Sequence, residues 1–277
     1  MTQELEVARK AAQFGAETIR SFQKNRSELG IHNKGYRDLV TDADVATQKV
    51  IVSVIKEAFP EDGILAEEAN EEIQFTDGRW WIIDPIDGTT NFAHDFPIYC
   101  VSIGFWEGGE ARAGVVLEVN RDEEFIALKG EGAYCNGERI RVSERSDLSE
   151  CIIAAGMPYH TFDEEESYLK LFRTLLHSCL AIRRPGTGAY DLCSVAAGRF
   201  DGFYEYGLQA WDVGAAALIV QEAGGIVTNW FGKDNWLFDN RMIAGNPSIH
   251  LKLLDLIEKH VPEEVRSGKL KATKGFA

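Results

Sequence analysis

WWIIDPIDGTTNF, residues 80–92, joins an apolar run to a pair of acids. Trp80, Trp81, Ile82 and Ile83 are continuous and apolar, which predicts a buried strand. Asp84 and Asp87 follow at the end of that strand, with Pro85 and Ile86 between them and Gly88, Thr89 and Thr90 directly after. An unpaired buried charge is costly, so carboxylates placed there need a metal, a cation or hydrogen-bond donors. The stretch therefore predicts a strand that ends in a binding site.

Outward from this strand the chain alternates helical and extended patterns. Residues 4–24 place Leu5, Ala8, Ala12, Ile19 and Phe22 at helical spacing among charged residues. IHNKGYRDLVTDAD, residues 31–44, reads as a polar interruption. Asp44 or a neighbour then caps a second helix through Ile51, Val54, Ile55 and Phe59, ended by Pro60. GILAEEA (63–69) is a short strand and EANEEIQFTDG (68–78) a surface loop. From Cys100 to Gly137, alternating Val and Ile between GG, NRD and KGEG turns predict an antiparallel meander. IIAAG (152–156) is a strand, and a helix follows from about Asp163 to His177. RRPGTGAYDLCSVAAGRF leads from a loop into a small-residue helix, and DGFYEYG (201–207) is a strand. WDVGAAALIVQEAGG (211–225) reads as one helix stopped by Gly224 and Gly225, and SIHLKLLDLIEKH as a last amphipathic helix. With 277 residues and no internal repeat or linker, one domain is expected over 1–277. It would comprise an N-terminal α+β and a C-terminal α/β part meeting near 150, with a tail over 263–277. The periodicity gives a mixed, layered α/β or α+β protein.

Composition narrows the function. The apolar fraction is 45% and the aromatic fraction 10%, as in globular proteins. A net charge of −15 argues against nonspecific nucleic-acid binding and against anionic membranes. It leaves an anionic substrate open, because bound cations invert the local field. The cysteines, Cys100, Cys135, Cys151, Cys179 and Cys193, are odd in number and form no CxxC, so neither a disulfide framework nor a cysteine zinc site is expected. The start, MTQELEVARKAAQF, does not read as a secretory signal, and no apolar run approaches the ~20 residues of a membrane span. A reducing, cytoplasmic setting is expected. The six histidines form no HxxxH or HExxH and are assigned to no metal.

Acids gather in four segments: Asp38 to Asp44, Glu67 with Glu68, Asp84 with Asp87, and Asp212. Hard divalent cations such as Mg²⁺ take oxygen ligands from a few carboxylates and from phosphate. Two such ions, ~3.5–4 Å apart, can clamp a phosphoryl group. In DPIDGTT, Pro85 fixes the turn, the Ile86 carbonyl can ligate a metal, and Asp84 and Asp87 can face one centre. Gly88 lets the backbone approach an anion, a helix starting near Thr89 would point N–H groups at it, and Thr89 offers a hydroxyl near an attacking water. Taken alone, Glu67-Glu68 is an ordinary solvated loop, Asp212 an N-cap, DLVTDAD a capping segment and GTGAYD a turn. Their combination is far more specific.

AEEA at 66–69, WIIDPIDGTTNF at 81–92 and WDVGAAALIVQEAGG at 211–225 resemble the inositol monophosphatase family of lithium-sensitive, Mg²⁺-dependent phosphomonoesterases, with support from DLVTDAD at 38–44 and GTGAYDL at 186–192. The resemblance spans most of the chain. It implies a layered αβαβα sandwich that forms homodimers. It also implies two to three Mg²⁺ per site: a first held by Glu67, Asp84 and the Ile86 carbonyl, a second by Asp84, Asp87 and Asp212, and a looser third near Glu67. Thr89 would orient the attacking water and donate to Asp44, and the Gly88 and Thr89 N–H groups would hold phosphate.

For the substrate, the resemblance points to a small phosphorylated polyol or sugar. Glu205 would bind ring hydroxyls, GTGAYD, with Thr187 and Gly188, would line the pocket, and Asp212 would also be a substrate-binding residue. TTNF after DPIDG is like the inositol group, whereas members acting on phosphoadenosine nucleotides resemble DPLDGTKEF. Gln209 stands where inositol phosphatases often carry histidine, and Gly188 replaces a common alanine. Fructose bisphosphate, histidinol phosphate and 3′-phosphoadenosine nucleotides are the alternatives within this chemistry. A protein-binding role, as in some bacterial relatives that contact transcription or ribosome machinery, is the alternative of another class.

Overall fold

The computed structural model describes residues 2–35, 38–68, 75–157 and 165–267. The first helix, α1 (Gln3–Lys24), buries Leu5, Ala8, Ala12 and Ile19 along one stripe, as its spacing predicts. The segment after it departs from expectation. Instead of an irregular polar stretch, Ile31–Gly35 (β1) and Asp38–Thr41 (β2) pair antiparallel. β1 is exposed along its whole length, so no hydrophobic alternation marks it in the sequence. Thr41, not Asp44, is the N-cap of α2 (Asp42–Ala58). Asp44 is the third residue of a reciprocal capping box, accepting from Thr41 N at 2.7 Å.

β3 (Gly63–Ala66) pairs parallel with β4 (Arg79–Asp87), the strand of the WWIIDPID run. β5 (Cys100–Glu107), β6 (Glu110–Glu118), β7 (Glu123–Leu128), β8 (Gly132–Cys135) and β9 (Glu138–Ile140) extend this sheet as the expected antiparallel meander. A second sheet runs in the order β11-β10-β12-β14-β13, built from β10 (Ile152–Ala155), β11 (Ala181–Arg183), β12 (Gly202–Tyr206), β13 (Ile226–Thr228) and β14 (Arg241–Gly245). The sequence marks β10 and β12 only; β11 and β13 are three residues long and show no period.

The helices fill three layers around the two sheets. α1 and α2 cover the outer face of the first sheet. Between the sheets lie α5 (Gly188–Ala196), α6 (Ala210–Val213) and α7 (Ala216–Glu222), and outside the second sheet lie α4 (Glu165–Ser178) and α8 (Pro247–His260). Strand alternation produces this αβαβα order directly. In β4, Trp81 and Ile83 enter the outer core while Ile82 enters the middle one. In β12, Phe203 enters the middle core and Tyr204 the core under α4 and α8. The expected start of α4 near Asp163 lies outside the described residues.

Two further expectations are corrected. The run 211–225 is not one helix. It breaks at Gly214, whose carbonyl accepts from the Trp106 indole N–H at 2.9 Å. That carbonyl presses so closely on Gly104 of β5 that a Cβ there would stand 2.6 Å from it. The end at 263 is not all tail, because Glu263–Arg266 form a short helix, α9, that buries Val265; residues 268–277 lie outside the described set. Among the described residues no helix is long and apolar enough to cross a membrane.

Candidate active site

The site forms where β4 ends. Side chains on a regular strand alternate faces, so acids three apart would point to opposite sides. The register of β4 on β5 shifts between Asp84, opposite Ser102, and Asp87, opposite Cys100. This irregularity at Pro85–Ile86 turns both acids toward one space. Gly88 follows in the left-handed region at φ +100°, where an L side chain is strained, and begins the turn into the short helix α3 (Thr89–Ala93). A Cβ on Gly88 would also crowd Thr187 and the Ile98 carbonyl, at 3.1 and 3.2 Å.

A cavity of about 470 Å³ opens at this elbow. Glu67 from the end of β3, Asp84, Ile86, Asp87, Gly88 and Thr89 line it on one side; Thr187, Gly188, Glu205 and Asp212 close it from α5, β12 and α6. The structure thus gathers the sequence-predicted residues around one space. Asp44 is the exception: it stands behind the wall and reaches the cavity through Thr89, whose Oγ1 lies 3.0 Å from Asp44 Oδ1 and 3.1 Å from the Ile86 carbonyl oxygen.

Each acid has local partners. Asp84 Oδ1 accepts from Ile86 N at 3.0 Å, and Asp87 Oδ2 from Ala189 N at 2.6 Å. Asp212 is the capping-box acid of α6 and accepts from Gln209 N at 2.7 Å. Lys34 on β1 donates to Glu67 at 3.4 Å and pairs with Glu68. Nothing in the sequence pattern marks Lys34, because β1 is exposed along its whole length. Arg184 and Asp191 also line the cavity, and only the quoted RRPGTGAYD context could have raised them.

These bonds do not neutralise the site. Burial, and then the charges of Glu67, Asp87 and Asp212, push the Asp84 carboxyl well above the usual range. Burial raises Glu67 to about 7, with Lys34 opposing and Glu68 adding to the rise. Asp87 rises to about 6 through burial, opposed by the Ala189 N–H, and Asp212 rises through burial and the charge of Asp87. Too many carboxylates therefore share too little positive charge, which is the donor chemistry a hard divalent cation satisfies. As the side chains stand, no group of three or more acidic, histidine or cysteine residues among the described residues is gathered closely enough to hold a metal ion. The acids surround a common space, each held back by its own N–H or lysine partner.

A two-sheet αβαβα sandwich with an acid-walled cavity at a strand elbow is a fold shared with inositol monophosphatases. The family model described as "Inositol monophosphatase family" matches residues 1–263, and the chain belongs to that family. The Nus factor SuhB of Pseudomonas aeruginosa is 38% identical over 270 residues, covering 95% of this chain and 98% of that protein. The extragenic suppressor protein SuhB from Bartonella henselae superposes with a TM-score of 0.89 at 38% identity, covering 94% of this chain and 100% of that one. The inositol monophosphatase from Anabaena superposes with a TM-score of 0.81 at 33% identity, covering 94% and 97%.

Proposed function

We propose that the protein is a Mg²⁺-dependent phosphomonoesterase acting on inositol monophosphate or a related polyol or sugar phosphate. The observation that supports this most is the convergence of Glu67, Asp84, Asp87 and Asp212, from separate segments, on one cavity where burial and mutual repulsion raise their pKa values. Glu67, Asp84 and the Ile86 carbonyl would hold one Mg²⁺; Asp84, Asp87 and Asp212 a second; and Glu67 would help hold a third. Bound there, Mg²⁺ supplies charge neutralisation for the phosphate and a more acidic water.

The protein's own groups do the positioning. The Thr89 hydroxyl, donating toward Asp44, keeps lone pairs for a water on the cavity side. That orients the water for in-line attack on phosphorus. The Gly88 and Thr89 N–H groups face phosphate oxygens, and Glu205 and Asp212 accept polyol hydroxyls beside Thr187 and Gly188. No covalent intermediate is required. The nearest buried thiol, Cys100, is pushed well above its ordinary pKa by burial and Asp87, so it is not a thiolate nucleophile.

Phosphate release from myo-inositol 1-phosphate, fructose bisphosphate, histidinol phosphate and 3′-phosphoadenosine 5′-phosphate, with and without Mg²⁺, tests the proposal. Mg²⁺-dependent release led by inositol phosphate is the expected result. A different leading ester would move the substrate while keeping the chemistry, and silence on every ester would overturn the enzyme reading. A second role is favoured by the name Nus factor borne by the SuhB relative. A protein-binding function of that kind would survive in an Asp84→Asn variant that has lost turnover.

A further inference from the structure

The cavity holds a carboxyl that neither the metal positions nor the helix needs. Asp191, on α5, is 2% exposed and lines the cavity, and its Oδ1 is buried with no hydrogen-bond partner. Capping does not explain it. Thr187 already caps α5, its Oγ1 accepting from Tyr190 N at 3.1 Å, and Asp191 lies one residue further on. Leaving a carboxyl oxygen unsatisfied in the interior is costly, and such exceptions call for a functional account.

The neighbours of Asp191 suggest what it takes. Glu205 of β12 lines the same cavity and is the acid that raises Asp191 most, and Arg184 opposes both. The Glu205 carboxyl lies against Gly156 so closely that a Cβ on residue 156 would stand 1.7 Å from Glu205 Cδ. Glycine at 156 is therefore what lets Glu205 reach the cavity wall beside Asp191.

We infer that Asp191 is a specificity-determining residue that binds a substrate hydroxyl, acting with Glu205 on neighbouring hydroxyls of one polyol. The inference rests on the phosphatase proposal and extends it to a subsite selective for a vicinal diol. A cationic ligand fits less well, because Arg184 lines the same cavity. Burial also raises the carboxyls of both Glu205 and Asp191, so a neutral polar ligand suits the pair. Hydroxyls both donate and accept, and match such a pair.

The test compares wild type with Asp191→Leu and Asp191→Asn on myo-inositol 1-phosphate and on phenyl phosphate, which carries no hydroxyls beyond its phosphate. Asp191→Leu should lower kcat/KM for the inositol ester about 10- to 100-fold, the span of one lost hydrogen bond to a buried carboxyl. Turnover of phenyl phosphate should change less than about twofold, and Asp191→Asn should restore part of the loss. The melting temperature of Asp191→Leu should hold or rise, since an unsatisfied buried oxygen is removed. Equal losses on both esters, or no loss on either, would overturn the subsite and leave the phosphatase proposal standing. Gly156→Ala supplies an independent check: by displacing Glu205 it should produce the same split between esters, and an equal loss on both counts against the pair. Binding of free myo-inositol, followed by ligand-observed NMR, separates the two proposals. If neither ester is hydrolysed by wild type but myo-inositol binds and Asp191→Leu weakens it, the enzyme proposal falls and the subsite stands. If wild type binds no myo-inositol and shows no ester split on substitution, the subsite falls.

Discussion

Thr89 Oγ1 stands 3.0 Å from Asp44 Oδ1, tying the elbow after β4 to the first turn of α2. The other oxygen of Asp44 accepts from Thr41 N at 2.7 Å and from Thr41 Oγ1 at 2.6 Å, so one buried carboxylate serves both the helix cap and the Thr89 hydroxyl. Removing the two partners should have separable effects. Thr89→Ala should cut turnover about 100-fold, in the range of a lost proton-positioning group, with little change in melting temperature. Asp44→Ala should cut turnover similarly and also cost about 1–2 kcal/mol of stability through the lost cap. Initial rates and thermal melts on both variants check this; a stable Asp44→Ala protein would show that the cap contributes nothing.

Asp84 is where the site's repulsion concentrates, since Glu67, Asp87 and Asp212 all raise its pKa after burial has done so. Replacing it should act in opposite directions on activity and stability. Asp84→Asn should lower Mg²⁺-dependent turnover on the order of 1,000-fold or more, beyond the ~10–100-fold typical of groups that only orient a ligand. The same change should raise the melting temperature of the protein in EDTA, because a buried like charge is gone. Rates and EDTA melts on one preparation test both halves, and near-wild-type turnover would remove the shared-ligand assignment.

The raised carboxyls fix a pH dependence. Glu67 moves from 4.5 to about 7, Asp87 from 3.8 to about 6 and Glu205 from 4.5 to about 8. Across that window the folded state holds more protons than the unfolded chain, so stability falls as pH rises. Their contribution is fully present below about 4 and is lost as pH passes upward through about 6 to 8. In EDTA the melting temperature should therefore decline between pH 5 and pH 8. Saturating Mg²⁺ should flatten the decline, since a cation replaces the protons. Melts at several pH values with and without Mg²⁺ measure it, and a curve that Mg²⁺ leaves unaltered would separate the acids from metal binding.

Much of this architecture was legible because strong patterns coincide with it. The apolar WWII run, the Val/Ile alternation after Cys100 and the stripes of α1 and α8 are each periodic enough to name their element. The site acids were legible because DPIDGTT, AEEA and WD sit at element ends. What stayed hidden lacks local signal. The β1–β2 hairpin is fully exposed on β1, so Lys34 and its pairing with Glu67 and Glu68 could not be anticipated. β11 and β13 are too short to show a period. The bulge that brings Asp84 and Asp87 to one side is a matter of register against β5, which no spacing within β4 reveals. Asp191 carries no signal of its own inside GTGAYD, because what marks it is the unpartnered Oδ1 in the folded chain.

The break between α6 and α7 shows how such a hidden contact sets the site. A continuous helix would carry Asp212 along a uniform 3.6-residue repeat. Instead the Gly214 carbonyl leaves the helical ladder and accepts from the Trp106 indole at 2.9 Å, while Gly104 beneath it leaves no room for a side chain. Asp212 stays in its own short turn, held by Gln209 N. Trp106→Phe keeps the aromatic packing on Trp236 and Phe75 but removes the one donor. It should cost about 1–3 kcal/mol, the penalty of an unsatisfied buried carbonyl. If the break positions Asp212, the variant should also raise the Mg²⁺ concentration needed for half-maximal activity, and the combination with Asp212→Asn should add nothing further to that shift. Mg²⁺ titrations of the single and double variants decide this: a full additive shift would mean that Trp106 acts on stability alone.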